Sequence, residues 1–268
     1  MTIETVIEAR DLVVAYGEKV ILRGVSTSIP RGSVTCVVGG SGCGKSTLLR
    51  AALGLVPPRA GSIRLLGEDM QALEGEARAA FLGKLGFMYQ NGALLNSISV
   101  YENLAIPLRA HTDLPPDVVD EIIHFKLGQV QLSHAVHLLP SELSGGMRKR
   151  AGFARAMVLD PEVILCDEPS AGLDPITAAD LDVLLLRLRA ELGITLVVVT
   201  HDLDSIKRIA DRVVMLDAGR VRFDGALEAA MACDDAVVHH FFAREANPPG
   251  AASAALLSQL RESPGEVS

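Results

Sequence analysis

The chain predicts an α/β fold: a core of parallel sheet, an antiparallel β part at the N-terminus and a mostly helical part inserted in the middle. Three observations carry that reading. Residues 34–38, 163–166 and 194–200 are short runs without a charge, as expected of strands buried on both faces. They alternate with segments of helical spacing, which implies a parallel sheet. Residues 91–155 differ from both, with helical stretches punctuated by Pro107, Pro115-Pro116 and Pro140.

Taken in order, 6–14 and 20–29 are β-branched and apolar around a Tyr16-Gly17 turn. The run 34–38 is the first buried strand and leads into a glycine-rich loop. Residues 45–53 read as a helix ended by Gly54 and Pro57-Pro58, and 61–67 as a short strand. Within the insert, 117–127 and 144–158 have helical character. The core resumes with a strand at 163–166. Leu181, Leu184, Leu185, Leu188 and Leu192 then follow helical spacing, and Gly193 stops that helix. A second buried strand covers 194–200, and 213–216 with 221–223 flank Asp217-Ala218-Gly219-Arg220 as a hairpin. The expected organisation is one domain over 1–245 with a helical insert at about 91–155. Residues 246–268 are a tail rich in Ala, Ser, Pro and Gly, either disordered or a partner-docking helix through Leu256, Leu257 and Leu260.

The chemistry lies in five short stretches. Gly39-Gly40-Ser41-Gly42-Cys43-Gly44-Lys45-Ser46 fits G-x-x-x-x-G-K-[ST] between a strand and a helix, the context that pattern requires. Its glycines let backbone N–H groups face phosphate, and the helix N-terminus adds positive potential. Lys45 supplies charge to the β- and γ-phosphates, Ser46 a hydroxyl for Mg²⁺, and Thr47 reaches the α-phosphate. Asp167 ends a buried strand and can hold Mg²⁺ through water. Glu168 follows it and can polarise an attacking water. Gln90 follows the apolar Phe87-Met88-Tyr89 and can touch Mg²⁺ or that water. His201 follows the 194–200 strand, at the sheet edge where open α/β folds bind ligands, within reach of a γ-phosphate.

The fifth stretch, Leu143-Ser144-Gly145-Gly146-Met147, opens a helix that carries Arg148, Lys149 and Arg150. Ser144 suits an N-cap, and the glycines expose the first N–H groups. This is a second anion site, and one nucleotide cannot use both sites unless the chain folds back on itself. A second protomer arranged head to tail resolves the redundancy.

Bulk properties narrow the field. The formal net charge of −8 over 268 residues argues against a nucleic-acid partner. Cys36, Cys43, Cys166 and Cys233 lack metal-ligand spacing and read as reduced thiols of a cytosolic protein. No stretch approaches the roughly 20 apolar residues that span a bilayer, and the N-terminus is acidic where a signal peptide is basic. Any membrane role is expected to come through a partner.

In this order the motifs resemble those of an ABC transporter ATP-binding subunit, over roughly residues 5–235. The resemblance implies a P-loop NTPase of the ABC ATPase fold, with ATP and Mg²⁺ bound between two protomers. Within it, Gly172-Leu173-Asp174 matches the D-loop, and Tyr16 the aromatic ring stacked on adenine. Asn91-Gly92-Ala93-Leu94-Leu95-Asn96-Ser97, Pro107-Leu108-Arg109-Ala110-His111-Thr112 and Met147-Arg148-Lys149-Arg150 resemble the Mce/Mla type, whose members drive phospholipid traffic. That likeness implies a homodimer, an integral-membrane permease, a lipid-binding Mce-domain protein and a small STAS-domain subunit. It also implies a place on the inner face of the bacterial inner membrane. Pro169-Ser170-Ala171-Gly172-Leu173-Asp174 departs from the Mla pattern and reads like ordinary importers. An ABC system for a non-lipid solute is therefore the alternative. A ribosome- or DNA-acting ATPase is disfavoured by the single cassette and the lack of coiled-coil or zinc inserts. A regulatory module without turnover is disfavoured by intact Lys45, Glu168 and His201.

Overall fold

The structure is a computed structural model and describes residues 4–90 and 92–243. Asn91 and the expected tail at 246–268 lie outside the described residues. The chain opens with two long strands, β1 (Thr5–Tyr16) and β2 (Lys19–Pro30), joined by the Tyr16-Gly17 turn. With β4 (Ala60–Leu65) they form an antiparallel sheet ordered β2-β1-β4. Ile7, Leu12, Val14, Leu22 and Val25 are buried on its inner face, their spacing shifted by irregularities in the β1–β2 register.

The second sheet contains β3 (Val34–Val38), β5 (Leu85–Met88), β6 (Val163–Asp167), β7 (Thr195–Val199), β8 (Arg212–Asp217) and β9 (Arg220–Ala226). Its order is β5-β6-β7-β3-β8-β9, parallel except for the β8–β9 hairpin. Both faces are covered. Val34, Cys36, Ile164, Cys166, Leu196 and Val198 belong to one apolar layer. Val37, Leu165, Val197, Val199 and Val214 belong to the other, which packs on α1 (Lys45–Ala52) and the antiparallel sheet. Period-2 alternation thus sends successive residues of one strand into two different cores, and the unbroken apolar runs follow from that.

Between α1 and β5 lies a short helix, α2 (Gly75–Leu82), for which the sequence reading placed no element. Between β5 and β6 run α3 (Val100–His111), α4 (Pro116–Gln129) and α5 (Gly145–Ala156). The β6–β7 connection is α6 (Pro175–Leu192), closed by Gly193 at φ +67°. After β7 come α7 (Leu203–Ile209), α8 (Leu227–Met231) and α9 (Ala236–Ala243), also absent from the sequence reading.

Pro107 does not punctuate the insert. It sits inside α3. An internal proline costs about 3 kcal/mol. Val100, Leu104 and Leu108 are buried on the same helix, worth about 1.5–3 kcal/mol each, and a Ser99–Glu102 capping box closes its N-terminus. Burial and capping outweigh the lost backbone bond. Among the described residues no helix is long and apolar enough to cross a membrane.

Candidate active site

The strand order places β3 beside β7, and β7 beside β6, so the segments that follow these three strands share one edge of the sheet. The loop after β3 holds Gly39 to Gly44. Gly39 (φ +136°) and Gly44 (φ +110°) adopt backbone that a side chain resists. They are also crowded: a Cβ on Gly39 would lie 2.1 Å from the Leu216 carbonyl oxygen, and one on Gly44 2.5 Å from Leu22 Cδ2. Gly44 is the N-cap of α1 and offers no side-chain acceptor, so the first N–H groups of that helix are left to an incoming anion.

Lys45 Nζ donates to the carbonyls of Gly39 and Gly40, at 2.9 Å each. Two of its three donors thereby hold the ammonium inside the loop. Ser46 Oγ donates to Asp167 Oδ1 at 3.1 Å, which joins the phosphate loop to the acidic strand end. Thr47 is buried on α1. Tyr16 is 43% exposed. It borders a cleft of about 270 Å³ with Lys19, Ile21, Gly42, Lys45 and Thr47. Ser41 is exposed at the loop tip, and Cys43 is buried beneath it.

Asp167 and Glu168 cap no helix. Glu168 has φ +51°, its N–H donates to the Val199 carbonyl at 2.8 Å, and its side chain meets His201 Nδ1 at 2.8 Å through Oε1. A carboxylate only accepts, so this pairing places a proton on Nδ1. The imidazole is 71% exposed and the glutamate side chain 16%. Ser170, Ala171, Gly172 and Leu173 continue the wall of a cavity of about 400 Å³ that Glu168 and His201 begin. Asp174 caps α6 instead of facing that cavity, accepting from the N–H groups of Ile176 and Thr177 and from the Thr177 hydroxyl. Those bonds hold its carboxyl below the usual range. Gln90 is exposed just after β5.

The fifth motif stands apart. Ser144 caps α5 by accepting from Met147 N–H at 3.2 Å, Leu143 is buried, and the glycines abut the region after β6. A Cβ on Gly145 would lie 3.3 Å from Leu173 Cδ2, and one on Gly146 2.6 Å from Thr177 Cγ2. Among the described residues, none of the hydrogen bonds made by Leu143 to Met147 reaches Gly39 to Thr47. The basic trio does not widen this anion site. Arg148 donates to the Leu143 carbonyl and Arg150 to Gln131 Oε1.

Lys149 turns inward and is only 6% exposed. Its ammonium donates to the backbone carbonyls of Gln90 and, at 3.3 Å, of Glu168. Burial pulls its pKa down, opposed by the charge of Glu168. The sequence reading saw in it only a helix charge. No pattern of adjacent residues marks it as different from its two arginine neighbours.

A parallel α/β sheet carrying this glycine loop, with Ser46 paired to an acidic strand end, defines a phosphate-loop nucleotide-binding domain. The chain belongs to the ABC transporter family, whose sequence profile matches residues 22–171. It is 37% identical to the intermembrane phospholipid transport system ATP-binding protein MlaF of Escherichia coli strain K12, over 92% of each chain. It is 38% identical to a probable ribonucleotide transport ATP-binding protein, Mkl, of Mycobacterium tuberculosis strain H37Rv, over 88% of this chain and 66% of that one. Among solved structures it is similar to the dimeric post-hydrolysis state of the ATP-binding cassette MJ0796 bound to ADP and Pi, with a TM-score of 0.75 and 28% identity. That match covers 82% of this chain and 98% of the other.

Proposed function

We propose that this chain binds and hydrolyses ATP as one half of a head-to-tail homodimer, and that closure of the dimer drives a permease that moves phospholipid between membranes. One observation carries the dimer. Ser144 and Gly145 stand at a helix start suited to an anion, yet among the described residues they make no hydrogen bond to the phosphate loop. The similar cassette MJ0796 was solved as a dimer bound to ADP and Pi, which supports the pairing of two chains. The likeness to MlaF over nearly the whole of both chains supports the lipid.

In this reading residues 1–245 act as one ATPase domain, and the insert at 91–155 carries the signature to the opposite nucleotide. Lys45, held in the loop by the Gly39 and Gly40 carbonyls and by Cys43 Sγ, carries its charge toward the β- and γ-phosphates. Backbone N–H groups from Gly40 to Ser46 cradle the phosphates, and Thr47 lies beside the α-phosphate. Tyr16 stacks on the adenine, a contact worth about 1–3 kcal/mol for bases on aromatic rings.

The residues present fit Mg²⁺ bound together with its substrate. The described residues contain no cluster of three or more metal-binding side chains, whereas Mg²⁺ usually takes one or two protein oxygens plus phosphates and water. Ser46 and Asp167, already 3.1 Å apart, would hold it with Gln90 nearby. Bound there, it would neutralise charge on the β- and γ-phosphates. Glu168 orients and deprotonates the attacking water through Oε2, while His201 holds Oε1 in place from the exposed side of the site. The partner's Leu143 to Met147 complete the site, and Gly172 to Asp174 line the passage between the two sites.

The permease places the subunit peripherally on the inner face of the bacterial inner membrane. Outside that membrane a lipid-binding Mce-domain protein is the expected partner, with a STAS-domain subunit as a further member of the assembly. A second reading, a permease for a water-soluble solute, draws support from the comparable likeness to Mkl. The two readings separate on what stimulates ATP turnover of the reconstituted permease complex: phospholipid vesicles in the first, a soluble solute in the second.

The dimer is tested with two chains, one carrying Ser144→Cys and the other Ser41→Cys, each with Cys233 replaced by serine. Mixed in the presence of a slowly hydrolysed ATP analogue, they are expected to crosslink to twice the chain mass. Omitting nucleotide should abolish the product. An equal yield without nucleotide would overturn the composite site.

A further inference from the structure

One face of α5 fastens the segment that follows β5. Arg155 Nη1 donates to the Ala93 carbonyl at 2.5 Å. A Cβ on Gly152 would lie 2.9 Å from Gly92 Cα, so the two backbones touch. Lys149 Nζ holds the Gln90 carbonyl. Residues 149, 152 and 155 are spaced three apart, and they grip residues 90, 92 and 93 in turn.

Of these anchors only Lys149 also reaches the other side, to the Glu168 carbonyl at 3.3 Å. Glu168 is a non-glycine residue at φ +51°. Such backbone persists only where its surroundings over-determine it. Its N–H is fixed by the Val199 carbonyl at 2.8 Å, from the strand side. Its carbonyl accepts from Lys149 on the helical side at 3.3 Å and from Ala171 N–H in its own loop at 3.2 Å, so Lys149 is the bond that ties it to α5. The two peptide groups that flank the strained residue are thus anchored to different parts of the molecule.

We propose that Lys149 is a positioning residue: its ammonium ties the α5 helix and the Gln90 backbone to the Glu168 backbone, so that the carboxylate is aimed only when the insert is seated. The inference rests on the reading of Glu168 as the base. Both hydrogen bonds of Lys149 go to backbone carbonyls. In this reading it sets the direction of the side chain that meets the attacking water. The same helix begins at Ser144, so seating of that helix start on the partner's nucleotide is transmitted to Glu168 through four residues of one helix.

The test uses Lys149→Met, which keeps the stem and removes the donors, and Lys149→Arg, which keeps the charge and offers donors on a larger planar head. For Lys149→Met the expected result is a fall in kcat of about 10- to 100-fold, the scale of a 1 Å misplacement of a reacting group, with KM for ATP changed less than about twofold. Lys149→Arg should recover most of the rate. The decisive measurement is single-turnover hydrolysis in a double-mutant cycle with Glu168→Gln. If Lys149 acts through Glu168, adding Lys149→Met to Glu168→Gln should leave the residual rate unchanged within about twofold. Equal losses in both backgrounds, or an unchanged kcat in a folded Lys149→Met protein, would overturn the proposal. Should Lys149→Met not fold, Lys149→Gln, which retains an amide donor, enters the same cycle. Near-normal turnover in Glu168→Gln alone would instead overturn the reading of the site, a distinct outcome.

Discussion

Glu168→Gln is expected to lower ATP turnover by about 10²–10⁴-fold, the usual worth of a positioned general base, while ATP still binds. The substitution preserves what the structure asks of the side chain as a shape. An amide oxygen can still accept from His201 Nδ1, which now sits 2.8 Å from Oε1, and the backbone bond to Val199 is untouched. What it removes is the capacity to take a proton from water. The protein should therefore accumulate with ATP bound and the dimer closed. Phosphate release and the elution volume with ATP report the two halves of the result. A variant that turns over at near the normal rate would show that another group takes the proton.

Gly39→Ala should be the most damaging single-methyl change in the phosphate loop. The added carbon would lie 2.1 Å from the Leu216 carbonyl oxygen, a backbone atom of the adjacent strand, and 2.9 Å from Cys43 Sγ. The φ of +136° adds strain of its own. Overpacking costs about 1–3 kcal/mol and unfavourable backbone about 1–3 kcal/mol, so a loss of about 3 kcal/mol in urea unfolding is expected. Gly40→Ala is the control. That position meets nothing within 4 Å and has no positive φ, so its stability should stay within about 0.5 kcal/mol. Similar unfolding midpoints for the two variants would contradict the packing described at Gly39.

The sheet core was legible because its strands are buried on both faces, and residues such as Val37 and Val198 are apolar whichever core they enter. The phosphate loop, the acidic strand end and the capped α5 start were legible because each is a local pattern of a few adjacent residues. Pro107 misled because proline reports a local backbone preference, and the burial of Leu104 and Leu108 that overrides it depends on distant partners. The helix α2 was missed because it buries only Phe81, which leaves almost no periodic signal. Lys149 was hidden for a related reason. In sequence it sits between two arginines like any solvated charge, and only the fold reveals two carbonyls waiting for it. The bond between Ser46 and Asp167 joins positions far apart in the chain, and no spacing rule foretells it.

The place of β3 in the sheet bears on how the protein is made. Val34–Val38 emerges early from the ribosome, yet both of its sheet neighbours, β7 from Thr195 and β8 from Arg212, are translated far later. Five residues that end up wholly buried, with open hydrogen-bonding edges on either side, must wait through most of synthesis for their partners. Such a segment invites pairing with other chains. The nascent polypeptide therefore carries an unpaired central strand until β7 and β8 are made, and slowing their synthesis is expected to raise aggregation.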